Sequence, residues 1–189
     1  MTLIKDNSIM ELLAGYLDRR FVFRKCKGQI IVAKKPVKKA PLSESQKKQT
    51  SRFKDAVVYA KAALADEEIR SLYAGRAAES DRPLSAFNVA VSDYMHLPVI
   101  KKVDLKDYMG GLGDYIMIVL AEDFSVVGVM VEIFRDDGSL LEVGMAERLE
   151  HLGEWVYYAQ SMVASVAGYR VNVRVTDLPG NVAEREVEI

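Results

Sequence analysis

The residues best suited to chemistry are few: one cysteine, Cys26, and two histidines, His96 and His151. Cys26 stands between Arg24-Lys25 and Lys27, a cationic setting that lowers a thiol pKa and favours the reactive thiolate. A cysteine nucleophile also needs a base within hydrogen-bond reach. Both histidines fall on other predicted elements, so Cys26 reads as a lone thiol on a basic strand. His96, at a helix end, favours the helix dipole, and His151 falls in a loop. Two histidines without a shared helical spacing make no metal site, and one cysteine excludes both a cysteine-cluster zinc site and an intramolecular disulfide framework. Residues 109–114 read Met-Gly-Gly-Leu-Gly-Asp. A phosphate loop would continue Gly-Lys-Ser/Thr and open a helix, whereas here a strand follows, so the segment reads as a flexible connection. Residues 136–142 lack the ligand spacing of a calcium loop and read as a hairpin. Asp123, Asp177 and Asn181 are turn formers that a sandwich would gather at one pole, where they could hold a cation. The carboxylates are scattered, with no pair set for acid–base work. The chain therefore reads as a non-enzyme, with no cofactor and no metal expected.

What the chemistry lacks, the charge distribution supplies. The 189 residues carry a formal net charge of -1, yet residues 1–54 hold 14 Lys or Arg against 4 Asp or Glu, and the remaining 135 hold 12 against 23. The positive side concentrates in an arm containing Arg19, Arg20, Arg24, Lys25, Lys27, Lys34, Lys35, Lys38 and Lys39. Such asymmetry points to contact with a polyanion or an acidic protein surface, and the acidic surface nearest to hand is the rest of this protein, on the same chain or on a second copy. Two functions follow. One is a structural or interaction protein that docks through the arm on itself or another protein. The other is a nucleic-acid binder, because Phe21 and Phe23 alternate with basic residues as in a stacking platform flanked by phosphate contacts.

Composition excludes other classes. With 50% hydrophobic and 28% charged residues the chain is neither disordered nor collagenous. No apolar run approaches the roughly 20 residues of a membrane helix, so no membrane partner is expected. The first residues lack a cationic, apolar and cleavable leader, which leaves the reducing cytoplasm as the expected compartment.

The elements that must carry these residues come in two regimes. Residues 18–34 read strand, turn, strand, and the prolines Pro36 and Pro41 then impose an extended linker. Ser43 with Gln46 is a capping-box pattern, and Phe53, Val57, Ala60 and Leu64 recur at helical spacing, predicting a helix over 43–65. Asp66 caps a second helix to about residue 78. Pro83 suits the first position of a third, which presents Leu84, Phe87, Val91, Tyr94 and Met95 on one face and ends before Pro98. The apolar core of this half is read as Phe53, Val57, Leu64, Leu72, Phe87 and Val91. From residue 99 the period falls to 2. Strands are predicted over 99–105, 114–121, 126–134, 140–145, 154–160, 169–176 and 182–189, with Asp137-Gly138 as a tight turn and Trp155 in the core.

The second half, with Glu122-Asp123-Phe124, Asp137-Gly138, Trp155-x-Tyr157 and Thr176-Asp177-x-Pro179-Gly180-Asn181, resembles a bacterial immunoglobulin-like or fibronectin type III-like module. The first half, with Lys35-Pro36, Gln49, Phe53 and Ser85-Ala86-Phe87-Asn88-x-Ala90-Val91, is similar to uncharacterised bacterial proteins with a basic hairpin, a Lys-Pro linker and a helical segment. Neither resemblance implies an activity. Together they imply an α+β chain: residues 1–98 form the basic hairpin arm and about three helices, and residues 99–189 form an immunoglobulin-like antiparallel sandwich of about seven strands.

Overall fold

The computed structural model describes residues 2–4, 21–26, 29–35, 41–81, 84–121, 124–149 and 153–189. The architecture is mixed α+β, with three helices and eleven strands among the described residues. Contacts divide the chain into two compact units, Met1–Lys47 and Lys48–Ile189. The change of period near residue 98 is thus a change of secondary structure, not of packing: from Lys48 onward the helical residues belong to the same unit as the second-half strands.

The first unit holds a three-stranded antiparallel sheet. Strands β2 (Phe21–Cys26) and β3 (Gln29–Lys34) form the expected hairpin, with Cys26 opposite Gln29 and Phe21 opposite Lys34. Strand β1 (Thr2–Ile4), which the sequence did not announce, pairs with the other side of β3. Among the described residues the order β1-β3-β2 leaves β2 at an edge.

Helix α1 (Glu44–Ala63) opens on the predicted capping box: Ser43 N–H donates to Gln46 Oε1 at 3.0 Å and Gln46 N–H to Ser43 Oγ at 3.3 Å. Its buried face is Ala56, Ala60 and Ala63, while Phe53 is 52% exposed. Alanines three and four apart let neighbouring elements approach the backbone closely, so the smallest residues, not the largest, mark the packed stripe. In helix α2 (Glu67–Ala78), Asp66 caps the Glu68 and Ile69 amides as expected. It buries Tyr73 and leaves Leu72 exposed. Helix α3 (Ala86–Met95) starts later than Pro83 suggested, because the Ser85 hydroxyl accepts from Asn88 N–H at 3.2 Å and sets the cap there. Alanines Ala60, Ala63 and Ala90 and Tyr73 form a small core, against which Phe124 and Leu178 pack from the strand region.

The strand region forms two four-stranded antiparallel sheets. Strands β4 (Ile100–Asp104), β5 (Tyr115–Leu120), β8 (Glu147–Leu149) and β9 (Glu154–Tyr158) lie in the order β4-β5-β9-β8, and β6 (Val126–Phe134), β7 (Leu140–Met145), β10 (Arg170–Asp177) and β11 (Val182–Glu188) in the order β11-β10-β6-β7. Alternate residues of both sheets, Ile116, Ile118, Trp155 and Tyr157 from one and Val129, Val131, Ile133, Val171, Val173 and Val175 from the other, enter one buried apolar cluster. A period of 2 therefore reports a shared core. The expectation of seven strands omitted β8, whose three residues are too short to show a period.

Candidate functional site

The predicted arm is only partly within the described residues. Arg24 and Lys25 occupy consecutive positions on the edge strand β2, opposite Ile31 and Ile30. Lys34 ends β3, and Lys34 and Lys35 are exposed. Arg19, Arg20, Lys27, Lys38 and Lys39 lie outside the described residues, as do Asp123 and His151. The hairpin brings Arg24 and Lys25 onto one strand, with Cys26 ending it.

The most polar assembly lies where the helices meet the strand loops. Tyr73 donates its hydroxyl to Asp93 Oδ2 at 2.6 Å, Ser125 donates to Asp93 Oδ1 at 2.6 Å, and the Tyr59 and Tyr73 hydroxyls are 2.8 Å apart. Burial first, and then the Asp93 carboxylate, push the Tyr73 phenol far above its ordinary pKa. Burial likewise raises Tyr59. Beside them lies a cleft of about 510 Å³ lined by residues including Arg76, Glu79, Asp81, Asp93, His96 and Phe124. The Arg76 guanidinium sits 5.6 Å over the Phe124 ring and pairs with Glu79 at 3.2 Å. Serine, histidine and aspartate are all present, but not as a nucleophile set. Ser125 gives its proton directly to a carboxylate, and His96 Nδ1 faces the Ser92 carbonyl at 2.7 Å. A nucleophile needs its base on the hydroxyl. The assembly is a clamp: the Asp93 carboxylate ties α2 and the β5–β6 loop to α3.

Asp177 and Asn181 do meet, as expected of a turn. Asn181 N–H and Nδ2 donate to the Asp177 carboxylate at 2.6 and 2.9 Å, and Nδ2 also reaches the His96 carbonyl at 3.2 Å. Both carboxylate oxygens are thereby engaged. Burial raises the Asp177 carboxyl above its ordinary pKa. Among the described residues no group of three or more His, Cys, Asp or Glu could hold a metal ion.

The glycine-rich stretch is tied down, contrary to its reading as a flexible connection. Met109 and Gly111 N–H both donate to Asp114 Oδ2 at 2.8 Å, and these bonds hold the Asp114 carboxyl below its ordinary pKa. Further backbone bonds, Gly113 N–H to Ala159 O and Val163 N–H to Gly110 O, join it to the β9–β10 loop. Its amides already serve a carboxylate, so a phosphate would find them taken. The Asp137-Gly138 turn is as predicted, with Gly138 at φ 81° and Ser139 N–H donating to Asp137 Oδ1 at 2.8 Å.

Sequence reasoning overlooked Glu142. It sits inward on β7, 9% exposed; Oε2 accepts from Gln160 N–H at 3.1 Å, while Oε1 has no partner. Among the described residues the hydroxyl of Tyr108, about 1% exposed, has no hydrogen-bond partner, and that of Tyr157, equally buried, faces the Glu142 carboxylate without a hydrogen bond of ordinary geometry. Burial, and secondarily the Glu142 charge, push both phenols up to about 12. Alternation was the available signal: Glu142 shares its parity with Gly144 and Ala146, small residues suited to the inside of a strand. Comparison with protein-family models, with curated proteins and with solved structures finds no match for this chain.

Proposed function

We propose that this chain is a non-enzymatic interaction protein: an anionic body of immunoglobulin-like topology, bearing a cationic strand arm that docks on the acidic surface of a second copy. The observation that carries the reading is the opposite net charge of the two compact units. Met1–Lys47 holds 11 Lys or Arg and 4 Asp or Glu, and Lys48–Ile189 holds 15 and 23. Opposite charge on separate compact units sets partner choice and on-rate, while strand pairing supplies affinity.

The immunoglobulin-like reading rests on strand order. With the eight strands of the body counted from β4, one sheet runs first-second-sixth-fifth and the other eighth-seventh-third-fourth. That order agrees with an ABED sheet against a GFC sheet extended by a strand beside C, which supports the reading. Trp155 departs from the immunoglobulin pattern, since it lies on the sixth strand, not the third. In this reading the helices take up the loops that such modules elsewhere offer to ligands, which leaves sheet faces and edges for partners.

Sedimentation of the full chain at about 50 and about 500 mM salt tests the proposal, since these ionic strengths bracket weak and strong screening. The expected result is association at low salt, lost at high salt and lost in the double variant Arg24→Glu, Lys25→Glu. A monomer at both salts contradicts it. Association that appears only on adding a single-stranded oligonucleotide also contradicts it, in favour of nucleic-acid binding.

A further inference from the structure

Each sheet of the body has two edges, and an unguarded edge is a template for another strand. Three of the four are guarded. Strand β11 carries exposed Glu184, Arg185, Glu186 and Glu188. Strand β4 is bulged at Lys101, and the Arg185 guanidinium donates to its Ile100 and Lys101 carbonyls at 3.1 and 2.8 Å. Strand β8 has three residues, two of them the exposed Glu147 and Arg148. Strand β7 is different. Among the described residues it pairs with β6 alone, its one charged residue, Glu142, is turned inward, and its exposed residues are Leu140, Val143 and Met145 at 48, 46 and 60%.

We infer that β7 receives the edge strand β2 of a second copy by strand addition, an inference that rests on the self-association proposed above and names its surface. The two strands match in length, six residues each. They also match in charge. The sequence flanks β2 with Arg19-Arg20 before and Lys27 after, with Arg24 and Lys25 inside, whereas β7 lies between Asp136-Asp137 and Glu147. Of the cations that also flank β7, Arg135 is engaged, donating to Ser139 Oγ and the Leu140 carbonyl, and Arg148 follows Glu147. Phe21, exposed on β2, suits the apolar outer row of Val143 and Met145, and main-chain bonds between the strands would supply the rest.

The test substitutes one lysine at a time into the full chain: Val143→Lys or Met145→Lys on β7, and Val127→Lys as a control on β6, where Val127 is 59% exposed but not on an edge strand. A lysine on β7 faces the cationic strand with like charge, so dimer dissociation constants should rise at least about tenfold for the β7 variants and change less than about twofold for the control. In parallel, isotopically heavy and light wild-type copies are mixed and treated with a carbodiimide, which joins lysine to carboxylate. Heavy-to-light links from Lys25 or Lys27 to Asp136, Asp137 or Glu147 are expected, and this readout does not depend on any variant folding. Salt-sensitive association that the β7 lysines leave unchanged, or that yields no such links, overturns β7 as the docking edge while the self-association stands. A wild-type monomer at low salt overturns both.

Discussion

Strands β11 and β7 border the same sheet and are built by opposite rules. On β11 the charges face outward and are matched: Glu184 pairs with Arg174 at 2.7 Å and Glu186 with Arg170 at 3.5 Å, while Arg185 reaches over to close the neighbouring edge. On β7 Leu140, Val143 and Met145 face outward, and the lone carboxylate faces the core with one oxygen unpaired among the described residues. Both choices on β7 cost stability in an isolated molecule, since an unpaired buried polar atom costs about 1–3 kcal/mol and a bare edge invites aggregation. Departures from local rules that cluster on one element are where function is to be sought. The same strand equals β2 in length and has acidic residues in its flanks where β2 has basic ones.

The contrast can be probed from its inner side first. A Cβ at Gly144 would lie 2.7 Å from Tyr157 Cε2, against a ring that is 1% exposed and cannot withdraw. Gly144→Ala should therefore lower unfolding free energy by about 2–3 kcal/mol through overpacking, measured by denaturant melts. An unchanged midpoint would mean that β7 is loosely held and the comparison with β11 has no structural basis. Arg185→Ala removes two charge-assisted bonds to carbonyls on β4. It should lower stability by about 1–2 kcal/mol and, by uncovering that edge, make the protein aggregate at high salt. If stability falls without aggregation, Arg185 is a tether and not a guard.

The smallest effect is on pH dependence. Tyr108 and Tyr157 have folded pKa values raised to about 12. The folded state therefore holds their protons more tightly than the unfolded chain, whose phenols titrate near 10. Their contribution is fully present below pH 10 and is lost as pH rises through 12. Phenolate absorbance should show at least three tyrosines, Tyr73 together with Tyr108 and Tyr157, ionising only with unfolding, and Tyr157→Phe should remove one of them. Ionisation of all tyrosines near pH 10 without unfolding would place these hydroxyls in water.

How much of this was legible in the sequence depended on range. Elements fixed locally were readable. Strand β6 was located residue for residue from its period, the β2–β3 hairpin from alternation about a Lys-Gly turn, and the starts of α1 and α2 from caps whose hydrogen bonds span three residues. Where two local signals competed, the weaker one misled: Pro83 suggested a start that Ser85 sets. The buried faces were less readable, because large apolar residues were taken to mark the core, and the packed stripe of α1 is alanine, with Phe53 and Leu72 left outside. The clamp at Asp93 joins Tyr73, Ser125 and Asp93 from three distant segments, and the bond from Arg185 to Ile100 spans 85 positions. No spacing rule reaches that far. Glu142 had a local signal, and it was missed because a charged residue on a strand is ordinarily assigned to solvent.

Hydrogen exchange on the wild-type protein tests the docking edge most directly. At low salt, amides of β7 not bonded to β6 and edge amides of β2 should gain protection as protein concentration rises, and both should lose it at high salt. Exchange on the two strands that is the same at every concentration would contradict strand addition.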